Sequence, residues 1–192
     1  MRAGPPLSSE VGAATRHGRI GSVGDTGTAA GQRHGAGIDR TEEWEELRRR
    51  HLAPDGERPP SSARGVHHVA LFCADVERTI GFYQGVLEFP LTELFENRDY
   101  QGSTHFFFDI GNGNTLAFFD MPGLDLGDYA EVLGGLHHLC ISVAPERWAV
   151  LKARLDEIGV EYAHIDGSSI YFRGPDGERI ELISDPLGEM YG

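Results

Sequence analysis

Along residues 66–184 the apolar positions switch repeatedly between a period of two and a period near 3.6. Val66 to Cys73 alternates as a strand, Ala74-Asp75 closes it, and Val76, Ile80, Tyr83 and Val86 recur at helical spacing. Strand patterns follow at Leu91–Glu96, Thr104–Ile110 and Thr115–Asp120. The last two are separated by Gly111-Asn112-Gly113-Asn114, residue types that tolerate the left-handed backbone of a tight hairpin. The order is β-α-β-β-β. After a glycine-rich loop it recurs, with a strand over Leu136–Val143 and a helix from Pro145 to about Ile158. Proline suits the first helical turn, and Gly159 ends the helix. Strands over Val160–Ile165, Ser169–Arg173 and Arg179–Ser184 complete the second unit.

The two units are copies. GVHHVALFCADVER answers GLHHLCISVAPER at a spacing of 70 residues, and a repeat of this clarity decides the architecture. Upstream, residues 1–40 are rich in Gly, Ala, Ser, Thr and Arg without periodicity, a composition that predicts disorder. TEEWEELRRRHL, residues 41–52, reads as a helix with Thr41 as N-cap, acids in its first turn and arginines in its last. Its Trp44, Leu47 and Leu52 form an apolar side suited to docking on the main body. The chain thus divides into a tail (1–40), a helix with a Pro-rich linker (41–64), a first module (65–121), a connecting loop (122–134), a second module (135–185) and a short C-terminal tail (186–192).

Composition adds a few exclusions. A net charge of −13 over 192 residues argues against general nucleic-acid binding, which needs a basic surface. Residues 1–40 carry five Arg against three acids, so the acidity belongs to the rest. No apolar run approaches the roughly 20 residues that span a bilayer, and the N-terminus lacks a signal-like apolar stretch, so a cytoplasmic protein is expected. Cys73 and Cys140 both fall in predicted strands and form no C-x-x-C pair; they read as small buried hydrophobes of a reducing compartment.

Candidate chemistry starts at Glu181, a carboxylate in the middle of the apolar strand RIELI. A charge there is costly unless it is paired or binds a metal. Each opening strand carries a double histidine. By period two, His68, Ala70 and Phe72 share one face, and His138, Cys140 and Ser142 share the matching one. The more apolar alternates, Val69 and Leu71 with Leu139 and Ile141, should pack on the helices, leaving His68 and His138 on the concave face. Phe72, Phe107 and Phe119 point into the same concavity by parity. One histidine on a strand is usually structural; two at equivalent repeat positions, with Glu181 on the matching strand, point to a metal. His67 and His137 read as supporting or packing residues, and Arg179 as a rim salt bridge.

The motifs VHHVAL…D…FY…VL, LHHLCISV and PDGERIELI resemble those of the vicinal oxygen chelate superfamily, the glyoxalase, bleomycin-resistance and extradiol-dioxygenase group, over Gly65 to about Asp185. The resemblance implies an α+β fold in which two βαβββ modules form a U-shaped mixed sheet around a metal and substrate cavity, with the helices outside. It implies four possible ligand positions, which fall here on His68, Ala117, His138 and Glu181. Ala117 is no ligand, whereas four-ligand members such as glyoxalase I have Glu there. Two histidines and one carboxylate resemble the facial triad of type I extradiol dioxygenases. Such a face leaves room for a bidentate substrate and O₂, with Fe(II) the favoured divalent metal and Mn, Ni, Co or Zn also accepted by these donors. Tyr171 matches a tyrosine that hydrogen-bonds substrate in those enzymes. Their acid/base histidine is replaced by Asn114, and His105, with a pKa suited to proton transfer, is the candidate substitute. A ring-cleaving dioxygenase acting on a small aromatic substrate is the first expectation. A glyoxalase-like lyase, isomerase or epimerase, or a non-catalytic antibiotic-binding protein, are the alternatives. Dimerisation is left open, because modules of this fold pair within one chain or between two.

Overall fold

The computed structural model describes residues 38–189. Helix α1 (Thr41–His51) precedes the first module, which comprises β1 (His68–Phe72), α2 (Val76–Ile80), β2 (Leu91–Glu96), β3 (Thr104–Asp109) and β4 (Thr115–Phe119). The second module comprises β5 (Leu139–Ser142), α3 (Pro145–Glu157), β6 (Tyr162–Ile165), β7 (Ser169–Arg173) and β8 (Arg179–Ile183). Each module is a four-stranded mixed sheet, in the orders β1-β4-β3-β2 and β5-β8-β7-β6. In both, the first strand lies parallel to the last and the other pairs are antiparallel. This is the expected pair of βαβββ modules. Residues 1–37, most of the tail expected to be disordered, lie outside the described residues.

Period-two alternation assigns the faces as expected. Phe106, Phe108, Leu116 and Phe118 are fully buried, and Phe108 and Phe118 meet Tyr83 of the first module's helical segment. Ile170, Phe172, Ile180 and Leu182 form the equivalent buried series in the second module, in one cluster with Leu151 and Leu155 of α3. Each such side chain contributes about 1.5–3 kcal/mol on burial, so the helix-covered faces hold the fold together. The opposite face is left open along β1, where His68, Ala70 and Phe72 are all exposed.

Three local expectations are corrected. The helix beginning at Val76 is α-helical only to Ile80 and continues as a π-helical turn over Gly81–Val86, where Leu87 N–H reaches back to Phe82 O at 3.1 Å. Gly81 and Gly85 weaken the α ladder there, and Arg154 donates to the carbonyls of Gly85 and Val86 at 3.2 and 3.4 Å. In α1, Thr41 is the first helical residue rather than the N-cap, and Asp39 Oδ1 accepts its N–H at 2.9 Å. No residue of α1 is buried: Trp44 and Leu47 are exposed, so the apolar side expected to dock stays uncovered.

The modules meet on the helix side. Phe82 lies against Phe172 with ring centroids 6.2 Å apart, and Arg154 pairs with Glu88 at 2.5 Å. Tyr83 donates from its hydroxyl to Glu178 Oε1 at 2.6 Å, across 95 residues of sequence. Arg78 pairs with Asp176 on the same turn. That turn, between β7 and β8, needs both its glycines. Gly177 has φ +85°, and a Cβ on Gly174 would collide with the Glu178 carboxylate.

Candidate functional site

Glu181 sits at the centre of β8 with Cys140 beside it in register on β5 and Tyr171 on β7. It is 3% exposed. Ser169 donates to Glu181 Oε1 at 2.5 Å, and His138 Nε2 lies 3.1 Å from Oε2. Among the described residues, His138 is its only ion-pair partner. Burial, against the pull of Glu181, pushes the His138 imidazole below its usual pKa, which favours the neutral form that binds metals. Among the described residues no Lys or Arg pairs with this buried carboxylate, and a bound cation would compensate it. His138 and Glu181 therefore fit a metal ion.

His68 belongs to a different neighbourhood. Its ring lies 6.1 Å from that of Phe107, and its Nδ1 lies 2.9 Å from His67 Nδ1. Among the described residues, no three His, Cys, Asp or Glu side chains gather round one point. The structure thus brings together two of the three expected donors and leaves His68 apart from them. In the second module the double histidine repeats the same contact, His137 Nδ1 to His138 Nδ1, at 2.7 Å.

Tyr171 lies within this site, its ring 5.4 Å from His138 and under the Arg179 guanidinium at 5.0 Å. Arg179 itself reaches Glu131 at 3.5 Å and His137 Nε2 at 3.3 Å, the rim pairing expected of it. His105 stacks on Phe119 at 3.8 Å and lies 4.2 Å from Phe107. Its Nε2 is buried without a hydrogen-bond partner. Burial, and secondarily His68, lower its pKa. Asn114, the position of the replaced histidine, lies in the turn that opens β4.

Two contributors to the Glu181 site escaped sequence reasoning. Ser169 opens β7, and only its two-residue offset from Tyr171, on the face of Glu181, would have marked it. Cys140 was expected to be buried, as Cys73 is; it is instead exposed, on the open face. Desolvation of the thiol, and next the carboxylate of Glu181, push it up to about 12, so it is a protonated donor toward Glu181 and not a nucleophile. Both cysteines are free thiols.

Residues 65–182 match the Glyoxalase/Bleomycin resistance protein/Dioxygenase superfamily. The chain belongs to this superfamily. Among its curated relatives is the putative ring-cleaving dioxygenase MhqA of Bacillus subtilis, 26% identical over 67% of this chain and 42% of that protein, so the chain spans less than half the length of that relative. The metallothiol transferase FosB of Shouchella clausii is 27% identical over 65% of this chain and 83% of its own. A glyoxylase/bleomycin resistance protein/dioxygenase domain from Frankia shares the fold with a TM-score of 0.57 at 21% identity, covering 67% of this chain and 96% of that one.

Proposed function

We propose that this superfamily member is a metal-dependent enzyme acting on a small substrate with two neighbouring oxygens, and that its reaction is O₂-dependent cleavage of an aromatic diol. The observation that carries the reading is Glu181: a buried carboxylate with His138 Nε2 at 3.1 Å and, among the described residues, no Lys or Arg paired to it. A divalent metal, Fe(II) in first place, would be held by His138 and Glu181 and supply Lewis acidity and a route to O₂; His68 would have to leave its place beside His67 and Phe107 to join them as third donor. Ala117, where the resemblance would put a fourth ligand, offers no donor, so the proposed set is short of the four-ligand kind. The similarity to the ring-cleaving dioxygenase MhqA supports the choice of reaction.

The remaining roles fall to protein groups. Ser169 fixes one oxygen of Glu181 and so orients the other. Tyr171, beside His138, hydrogen-bonds the bound substrate, and His105 moves its proton, with the unpartnered Nε2 as the exchanging atom. The protein is loaded anaerobically with Fe(II), and O₂ uptake is followed over a panel of catechols. Uptake that depends on Glu181 supports ring cleavage; fully metallated protein without uptake sinks it. A second reading, non-oxidative chemistry of the lyase, isomerase or transferase kind, draws support from the 83% of FosB that the chain covers. Conversion of substrate under strictly anaerobic conditions would select it.

A further inference from the structure

The open face of the first module carries a chain of rings of which the proposed metal chemistry uses only His105. Phe72 on β1 lies 6.5 Å from Phe119 on β4, and Phe119 lies 3.8 Å from His105 on β3. From His105 the chain runs to Phe107 at 4.2 Å and to Phe95 on β2 at 5.3 Å. The rings therefore cross all four strands of the sheet. Phe72 is 55% exposed and Phe95 45%, large apolar faces left to water at a cost that a ligand would relieve. Next to Phe72 and Phe119 is a cavity of about 220 Å³, also lined by Ala70, Met121, Asn97 and Asp99.

These rings are not demanded by the fold. The second module builds the same sheet with Ser142, Ile183 and Ser169 where the first has Phe72, Phe119 and His105, and only Tyr171 answers a ring, Phe107. The core lies on the other face in both modules. We propose that this ring wall binds a small, neutral aromatic ligand of one or two rings. In calling that ligand the substrate, the proposal rests on the function proposed above; the binding itself does not.

Three observations select this occupant. The cavity is smaller than the roughly 300–1,000 Å³ that drug-sized ligands occupy, so the ligand is small. Among the described residues no Lys or Arg lines it, and its one charged lining residue, Asp99, is already paired with Arg98 at 2.9 Å, so an anionic ligand finds no partner there. Phe72 and Phe95 meet their neighbouring rings tilted or edge-on and keep exposed faces on which a further aromatic ring can pack, using a quadrupole that an aliphatic body of equal area lacks.

The test is an equilibrium titration of metal-free, full-length protein with 2-naphthol, compared with decahydro-2-naphthol and 2-naphthoate. Saturable one-to-one binding of 2-naphthol is expected, with the saturated and the anionic analogues each roughly tenfold weaker or more. Phe72→Ala and Phe95→Ala, at half-exposed positions where the fold tolerates truncation, should each weaken it by about tenfold, and Phe72→Leu should restore only part. Equal binding of the saturated analogue, or unchanged affinity in both alanine variants, overturns the proposal. So does a dimer in sedimentation that Phe72→Ala dissociates, because a second copy would then be the occupant. Naphthol binding without O₂ uptake keeps the wall and removes the proposed reaction; uptake without naphthol binding does the reverse.

Discussion

Ala117 and Glu181 hold the same place in their modules, each at the centre of a five-residue strand and paired with the strand that opens its module. Around Glu181 stand Ser169, His138, Cys140 and Tyr171; around Ala117 the matched positions hold His105, His68, Ala70 and Phe107. One backbone pattern thus presents a polar pocket around a buried carboxylate in one copy and an aromatic surface in the other. The helix-facing sides stay alike, because both must bury a continuous apolar layer to fold. The open sides were free to diverge, since little of the stability depends on them.

The sharpest way to break the contrast is Glu181→Ala. It should lower metal affinity by more than about 100-fold, given that even supporting contacts to a ligand are worth up to that much, and it should be measured as metal content after purification without chelator. A variant that keeps its metal would remove the polar half of the comparison. Next in size, Ala117→Glu puts a carboxylate at a fully buried position flanked by Phe107, and should cost about 2–4 kcal/mol in denaturant unfolding of metal-free protein. Unchanged stability in that variant would mean the two halves are more alike than their rings suggest.

The seam between the halves gives two smaller effects. Tyr83→Phe removes the hydroxyl that donates to the buried Glu178, and should cost about 1.5–3 kcal/mol in the same unfolding measurement. Burial holds the Glu178 carboxyl above its ordinary value of 4.5 despite that bond. A raised acid keeps its proton better folded than unfolded, so the stability it contributes is fullest below 4.5 and is lost as pH rises through the raised value. Relative to Glu178→Gln, the wild type should therefore gain stability as pH falls from neutrality toward that range, read from unfolding midpoints at several pH values. The smallest effect is expected outside both modules: Trp44→Ala on the uncovered α1 should change stability by less than about 0.5 kcal/mol.

Much of this was legible in the residues, and the exceptions have a common cause. The bounds of Leu91–Glu96 and Ser169–Arg173 follow from strand-type residues lying between turn signals, and the faces of Val69, Leu71, Leu139 and Ile141 follow from parity, because side-chain direction in a strand is set by position within it. Glu181 stood out for the same local reason, as a charge where its neighbours are apolar. The π turn at Gly81–Val86 is not legible, since glycines inside a helical pattern do not say which hydrogen-bond register follows, and Arg154 meets its carbonyls from another helix. Nor was the seam: Tyr83 and Glu178 are 95 residues apart, and no periodicity relates them.

The sequence by itself determined two copies of a β-α-β-β-β unit, the face each strand turns to its helix, and a carboxylate and two histidines on the other face. Tertiary structure alone decided which of those groups meet. His138 reaches Glu181 through the β5–β8 pairing, Ser169 completes the contact from β7, and His68 stays with the rings of the first module. Periodicity is a property of a few adjacent residues, whereas a site is a set of distances between strands, set by register and by how two sheets are packed.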